Sequence, residues 1–344
     1  MKKLISDYRK LIIILIVPYI AIISMGLVTI DYNLVAPGGI NPVTDVIEIE
    51  NGNEIYQNFN TVYVYAPSKI TVLEYLIGKV DRNFSVSKTS PYYIASFSEE
   101  REAGKIQKDT SITNSLIVAY EEASRRDANI KINYTYQGQI IDMVYSYTDP
   151  QLRIGDIIIE VDDQPINYPY LLTQLTSTHV SDAPTYKAKI VRDNKELFLT
   201  ITKPKTKNDH GIPGFTHYEL YEIIDANPSY NIEKSRTTGP SGGLMQALSI
   251  YANLINKDLA KGMVVCGTGT LEKNDKDEWI VGQIGGAYQK VIAAYRAGAD
   301  VFFVPDGKNY EEALKAYQTL KNPKMDLVPV KTFGDALAYF EGKK

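Results

Sequence analysis

The sequence predicts an α/β (α+β) chain in three parts: one N-terminal apolar helix, a β-rich module and a layered α/β region. Three observations lead there. From residue 206 onward, strand-like and helix-like stretches alternate, the pattern of helices layered on a sheet. Residues 133–204 instead read strand, strand, helix, strand, strand. And "LIIILIVPYIAIISMGLVTI", Leu11 to Ile30, runs without a charge, long enough at ~1.5 Å per residue to cross a hydrocarbon core of about 30 Å.

Taken in chain order, the start "MKKLISDYRK" carries Lys2, Lys3, Arg9 and Lys10 against Asp7. A basic flank stays cytoplasmic, so the expectation is an uncleaved single-pass anchor at the cell membrane, with residues 31–344 outside. A cleaved signal peptide is the competing reading, and no small-x-small site follows the run to favour it. "DYNLVAPGGINPV" reads as a Pro/Gly-rich connector. "NTVYVYAP" (60–67) reads as a strand and "TVLEYLIGKV" as a short helix. In 110–128, Ile112, Leu116, Ala119 and Ala123 fall at helical spacing behind a Ser/Thr start, predicting an amphipathic helix. Within the β-rich module, Asp162-Asp163 and Asp193-Asn194 mark hairpin turns. Beyond it, "KGMVVCGTGTL" and "DVFFVP" read as strands. "VGQIGGAYQKVIAAYRAGA" is a turn and a helix stopped by Gly298, and "YEEALKAYQTL" and "TFGDALAYFEG" are helices.

Composition narrows the function classes. At 344 residues the chain holds about two domains and a tail. A net charge of −4 gives no electrostatic footprint for nucleic acid. The single cysteine, Cys266, excludes an intrachain disulfide and a cysteine metal cluster, and its apolar surroundings make it a buried thiol. His179, His210 and His217 show no metal-ligand spacing, so neither a metal nor another cofactor is expected. The 26 tyrosines have no functional account. The oligomeric state is open.

"TTGPSGGLMQALSIY" places Ser241 between Gly239-Pro240 and Gly242-Gly243, directly before the helical spacing of Leu244, Met245, Leu248, Ala252 and Ile255. Free N–H groups and the positive helix end collect at such a turn, and both suit an oxyanion. The plain alternative is an N-cap serine. A nucleophilic serine needs a base, and no histidine follows it in the chain. A lysine serves if burial brings it toward neutrality. Lys290 has Gly286, Ala287, Ala293 and Ala294 as its helical neighbours, a small apolar face that packs inward; the alternative is a lysine that snorkels to water. A Ser/His hydrolase using His210 or His217 is a third reading, without a recognisable motif.

"GPSGG", then "GTGTL", then "IGGAYQKVIAAYRAGADVFFVP" resembles the proteolytic domain of the Lon family of Ser-Lys peptidases, over roughly 206–344. The resemblance implies Ser241 as nucleophile, Lys290 as general base and Thr268 as the threonine beside the lysine. Gly239, Pro240 and Gly242 form the nucleophile turn, in which Gly242 replaces the family's alanine. The segment "LEKNDKDEWIVG" is longer than the family's turn, which an extended hairpin would accommodate.

The module carries a second resemblance. Leu152, Gly155, Asp156, Ile158 and Val161 stand where a PDZ domain has its L-x-x-G-D-x-I-x-x-V pattern. That implies a peptide-binding module at 133–205, with its carboxylate-binding loop at Tyr136, Gln137, Gly138 and Gln139. Together the two resemblances imply 1–30 as basic flank and anchor, 31–132 as the N-terminal part of the protease domain, 133–205 as the inserted PDZ domain and 206–344 as the catalytic part. The whole resembles the membrane-anchored, PDZ-containing Lon-like proteases. No G-x-x-x-x-G-K-[ST] loop is present, so cleavage is expected to be ATP-independent, on extended extracytoplasmic peptides or membrane-protein segments docked on the PDZ domain. The alternative is a PDZ-type peptide-binding scaffold whose protease-like domain is inactive.

Overall fold

A computed structural model describes residues 8–50, 58–93, 95–167, 169–176, 184–203, 214–233, 238–274 and 276–342. His179 and His210 lie outside these. The chain divides into two compact units, Met1–Gly38 with Val64–Ser90 and Gly39–Tyr63 with Pro91–Lys344. The first third supplies α1 (Arg9–Leu27), β1 (Tyr32–Pro42), β2 (Ile47–Ile49), β3 (Phe59–Tyr65), α2 (Val72–Val80) and β4 (Ser85–Lys88).

In the smaller unit β1 and β4 pair antiparallel, from Tyr32 opposite Lys88 to Val35 opposite Ser85. The stretch read as a connector is therefore a strand. Thr71 starts α2 through a capping box with Glu74, each residue's side chain satisfying the other's backbone N–H. The expected span from Leu11 to Ile30 is not supported. The helix closes at Leu27, 19 residues or about 28 Å long with Arg9 and Lys10 in its first turn. Thr29 then bridges to Thr71, and the Ile30 N–H donates to the Ile70 carbonyl, so the end of the apolar run has left the helix. Among the described residues no helix is long and apolar enough to cross a membrane.

The larger unit continues with α3 (Phe97–Ser124), β5 (Lys131–Val144), β6 (Ile157–Val161), β7 (Gln164–Pro165), α4 (Pro169–Thr176), β8 (Thr185–Arg192), β9 (Lys195–Thr202), β10 (Phe215–Asn227) and β11 (Tyr230–Ile232). The chain ends with α5 (Gly243–Leu254), β12 (Val265–Gly267), β13 (Thr270–Lys273), β14 (Trp279–Gly282), α6 (Ala287–Arg296), β15 (Val301–Pro305), α7 (Lys308–Tyr317), β16 (Asp326–Val330) and α8 (Phe333–Gly342). The helix expected at 110–128 is 28 residues long and starts at Phe97, where Ser96 and Glu99 form a capping box. The Thr/Ser run taken for its start lies mid-helix, buried against partners described below.

Strands β3, β12, β15 and β16 run parallel in the order β16-β15-β12-β3. Both faces are covered, which is why "VFFVP" is an unbroken apolar run. Alternation along β15 sends Val301 and Phe303 into one core with α3, α5 and α8, and Phe302 and Val304 into another with α6 and α7. Hairpin β13–β14 takes up the extra length of "LEKNDKDEWIVG" and leaves α6 in place.

The β-rich module is an antiparallel sheet in the order β10-β5-β6-β8-β9 around its own core of Ile141, Leu152, Ile158, Leu172, Ile190 and Phe215, among others. Asp162-Asp163 and Asp193-Asn194 adopt the positive φ values that their hairpins require. Strand β10, from the region assigned to the catalytic part, completes this sheet along the whole of β5. Asp156 is 1% exposed and is held by Arg192, with Nε–Oδ1 at 2.6 Å and Nη2–Oδ2 at 2.7 Å, and by the Arg153 N–H at 2.8 Å. Arg192→Met leaves that carboxylate buried without a cation, so a urea melt should show a loss of about 3–5 kcal/mol; an unchanged midpoint would mean that the pair contributes nothing to the module.

Candidate active site

Ser241 stands one residue before the cap of α5. The cap is Gly242, with no side-chain bond, so Ser241 is not the N-cap serine of the plain alternative. Gly239 supplies the φ of +91° that bends the chain into the turn. Gly242 has a steric reason: a Cβ there would lie 3.0 Å from Thr61 Cγ2 and 3.4 Å from Gln246 Nε2. The alanine of the resembled family is thus replaced where this chain places a threonine.

Helix α3 holds the turn from below. Gly104 accepts from the Gly239 N–H at 3.3 Å, and Ser111 Oγ donates to the Pro240 carbonyl at 2.9 Å. One helical turn on, Ser115 Oγ lies 2.9 Å from the Gly243 carbonyl and 3.2 Å from Gln246 Oε1. Between them, Gln107 Nε2 donates to Asp142 Oδ2 at 2.6 Å, and Thr216 Oγ1 donates to Asp142 Oδ1 at 2.7 Å. Gly104, Gln107, Ser111 and Ser115 share one helix face, which ties the Ser241 turn to strands β5 and β10 of the module. Sequence reasoning missed these residues. Two serines and Gln246 among apolar helical positions were the available signal, since buried polar side chains are retained with partners.

Lys290 projects from α6 and is 3% exposed. Its Nζ stands 2.7 Å from Ser241 Oγ and 2.8 Å from Thr268 Oγ1. Thr268 Oγ1 donates its proton to the Ser241 carbonyl at 3.0 Å, so toward the lysine it can only accept. A neutral amine then gives one N–H to Thr268 and keeps its lone pair for the serine hydroxyl. No carboxylate lies within ion-pair distance of Lys290 among the described residues. Burial alone lowers its pKa from 10.5 to about 7. The snorkelling alternative fails, because the side chain ends on two buried or half-buried hydroxyls instead of in water. Thr268 is fixed in turn by its N–H donating to the Phe303 carbonyl at 2.9 Å, and the Gly269 N–H donates to the Ser241 carbonyl at 2.9 Å.

The remaining sequence-predicted residues lie elsewhere. Tyr136, Gln137, Gly138 and Gln139 are interior to β5, not in a loop. Gln139 pairs with Glu219 on one side and Ile158 on the other, whereas Tyr136 and Gly138 are in register with β10 alone. Gly138 is a glycine for packing: its φ is +130°, and a Cβ would meet the Ile158 carbonyl at 2.8 Å. His217 Nδ1 lies 2.8 Å from Gln139 Oε1, and burial lowers its pKa to about 4, so it is a neutral module residue and not a base for Ser241. Cys266 is buried, and burial pushes its thiol up to about 12. Among the described residues no group of histidine, cysteine, aspartate and glutamate could hold a metal ion.

No protein-family profile matches the chain. It is 31% identical over 100 residues to the Lon protease of Aster yellows witches'-broom phytoplasma, covering 29% of this chain and 12% of that protein. Against the Lon protease of Campylobacter jejuni it is 31% identical over 127 residues, 37% of this chain and 15% of the relative. Against that of Campylobacter concisus it is 28% identical over 151 residues, 43% and 18% respectively. The chain thus spans less than a fifth of the length of these curated relatives. The similarity, low in identity and partial in coverage, supports a Lon-like protease.

The lysine's environment sets a stability effect of definite sign. Between about 7 and its ordinary value near 10.5, folded Lys290 binds fewer protons than the unfolded chain. It therefore penalises folding below the unfolded pKa, and the penalty levels off once the pH falls past about 7. Lys290→Met should be at least as stable as the wild type at pH 6–7, by roughly the few kcal/mol that such shifts represent. The gap should narrow as the pH rises toward 10. Denaturant melts at several pH values check this; a Met variant less stable near neutrality would mean a charged structural lysine.

Proposed function

We propose that the chain is an ATP-independent serine endopeptidase working through a Ser241–Lys290 dyad. The observation that carries this is the 2.7 Å approach of a buried, acid-free lysine Nζ to the hydroxyl of a serine in a glycine turn. Neutral Lys290 takes the Ser241 proton as Oγ attacks the peptide carbonyl carbon. The resulting oxyanion is held by the Ser241 and Gly242 N–H groups, which bond to no described residue. Collapse of the adduct breaks the C–N bond, and the departing amine takes the proton from Lys290. Water, deprotonated by the same lysine, then hydrolyses the acyl-enzyme. Gly242, which stands where the resembled family has alanine, is accounted for by Thr61 and leaves every reacting atom in place.

The β-rich module is the proposed PDZ-type docking site for peptide or protein substrates. The outer strands of its sheet are β10 and β9, the places proposed here for an added peptide strand. Strand β10 is the proposed edge: α4 packs against it as well as against β6, and its Thr216 is bonded to the Asp142–Gln107 link to the Ser241 turn. The apolar α1, exposing Ile14, Leu15, Val17 and Ile20, is the proposed membrane attachment, with the catalytic unit on the extracytoplasmic side.

Ser241→Ala and Lys290→Ala should each abolish turnover, with the double variant no worse, because either change removes the same step. The wild-type rate should rise with pH through about 7 and level off on the alkaline side as the lysine becomes neutral. Near-normal turnover by a folded Lys290→Ala protein would remove the dyad. In cells, membrane and secreted peptides should accumulate with Ser241→Ala; accumulation confined to cytoplasmic peptides would overturn the proposed side.

Peptides identified in this way, added to the Ser241→Ala protein, should protect β10 amides from hydrogen exchange while leaving β5 unchanged. Protection of β9 instead would move the docking edge to the opposite side of the sheet.

A further inference from the structure

Helix α6 carries the proposed base, yet no side chain caps its start. Its cap is Gly286, in the left-handed region at φ +72° and without a side-chain bond. Gly285 precedes it, and a Cβ placed there would meet nothing within 4 Å. Two adjacent glycines are the most permissive link that a chain can put before a helix. Lys290 Nζ nevertheless has to sit between two hydroxyls at 2.7 and 2.8 Å.

The restraint comes from α7. Ile284, the last residue before the glycines, donates its N–H to Asn309 Oδ1 at 2.7 Å and accepts at its carbonyl from Asn309 Nδ2 at 2.9 Å. One carboxamide thus satisfies both backbone groups of one residue. Its orientation is unambiguous, because an N–H requires the oxygen and a carbonyl requires the nitrogen. The Asn309 N–H donates to Gln283 Oε1 at 3.1 Å, and Gln283 Nε2 donates to the Asp306 carbonyl at 2.7 Å. Asn309 is 3% exposed, so its carboxamide bonds to Ile284 are partly shielded from competing water, while Gln283 is exposed. Asp306 directly follows β15, the strand whose Phe303 carbonyl fixes Thr268. Thr268 is therefore referred to β15 directly, and the start of the Lys290 helix through Asn309 and Gln283.

We propose that Asn309 is a positioning residue for the base: it fixes where α6 begins and thereby holds Lys290 Nζ on Ser241 and out of water. The proposal rests on the dyad reading above. Asn309 touches no reacting atom and acts only through α6.

The test uses the full chain and a fluorophosphonate probe reacting at Ser241, with the maximal labelling rate and half-saturating concentration measured across pH. Asn309→Ala should lower the maximal rate by roughly 100-fold, the scale of an ångström-sized misplacement, and leave half-saturation near the wild-type value. The pH midpoint should move up from about 7 toward the ordinary lysine range, since a displaced Nζ regains water. Asn309→Asp keeps the acceptor for the Ile284 N–H and loses the donor to its carbonyl, so it should fall between the two in both rate and midpoint. A variant that melts earlier while keeping the wild-type maximal rate and midpoint overturns the proposal, for that is what a merely structural asparagine gives. If Asn309→Ala does not fold, Asn309→Asp decides: wild-type rate and midpoint in that protein overturn it. Failure of the dyad itself is read separately, as a wild-type protein whose Ser241 is not labelled at any pH, and that result removes both readings.

Discussion

An amine buried with no carboxylate in ion-pair range among the described residues is the constraint on which the rest of this structure turns. A charged ammonium at the Lys290 position would lose its hydration with no opposite charge in return, so burial lowers its pKa to about 7 and its Nζ is received by two hydroxyls. Small residues on α6 let the helix approach closely enough to bury the side chain. Thr268, whose proton is committed to the Ser241 carbonyl, accepts from the amine and so directs the lone pair. The same burial that costs folding stability is what would make the group competent near neutral pH, a stability–activity conflict expected at a functional site.

Meeting that constraint requires several elements to agree within tenths of an ångström. The turn around Ser241 is held by α3, the lysine helix by α7, and Thr268 by β15. Helix α3 has an unusual burden, because Thr110, Ser111, Asn114 and Ser115 are all buried within it. Such residues weaken a free helix by offering the backbone competing bonds. Here the Ser111 and Ser115 hydroxyls and the Asn114 amide face the Ser241 turn, α5 and the Leu271 carbonyl. The helix is also where the β-rich module meets this machinery. Buried Asp142 takes one bond from α3 and one from β10, so a change in β10 is one side chain away from the helix turn that supports Gly239.

Much of this was legible in the sequence because local chemistry dictated it. Positive-φ turns need Asp, Asn or Gly, and the hairpins at Asp162-Asp163 and Asp193-Asn194 follow from that requirement. A strand covered on both faces must be apolar throughout, which made β15 visible. The capping boxes at Ser96 and Thr71 were equally local signals, and reading the first would have started α3 at its true N-terminus. Asn309 left no such trace, since an asparagine in the first turn of a helix looks like ordinary capping chemistry until its partner is known.

By itself, then, the sequence determined the serine in a glycine turn, the lysine on a small-residue helix face, the hairpin turns and the alternation of strands and helices. Each follows from the conformational limits and periodicity of neighbouring residues. Only the tertiary structure decided which residues separated by tens to hundreds of positions meet: Lys290 with Ser241 at 49 positions, Ser111 with Pro240 at 129, and β10 with β5, which turned Tyr136–Gln139 from an expected loop into an interior strand. Pairing partners are chosen by the burial and hydrogen-bond satisfaction of the whole sheet. A strand's own residues state that it needs a neighbour and leave open which strand will supply it.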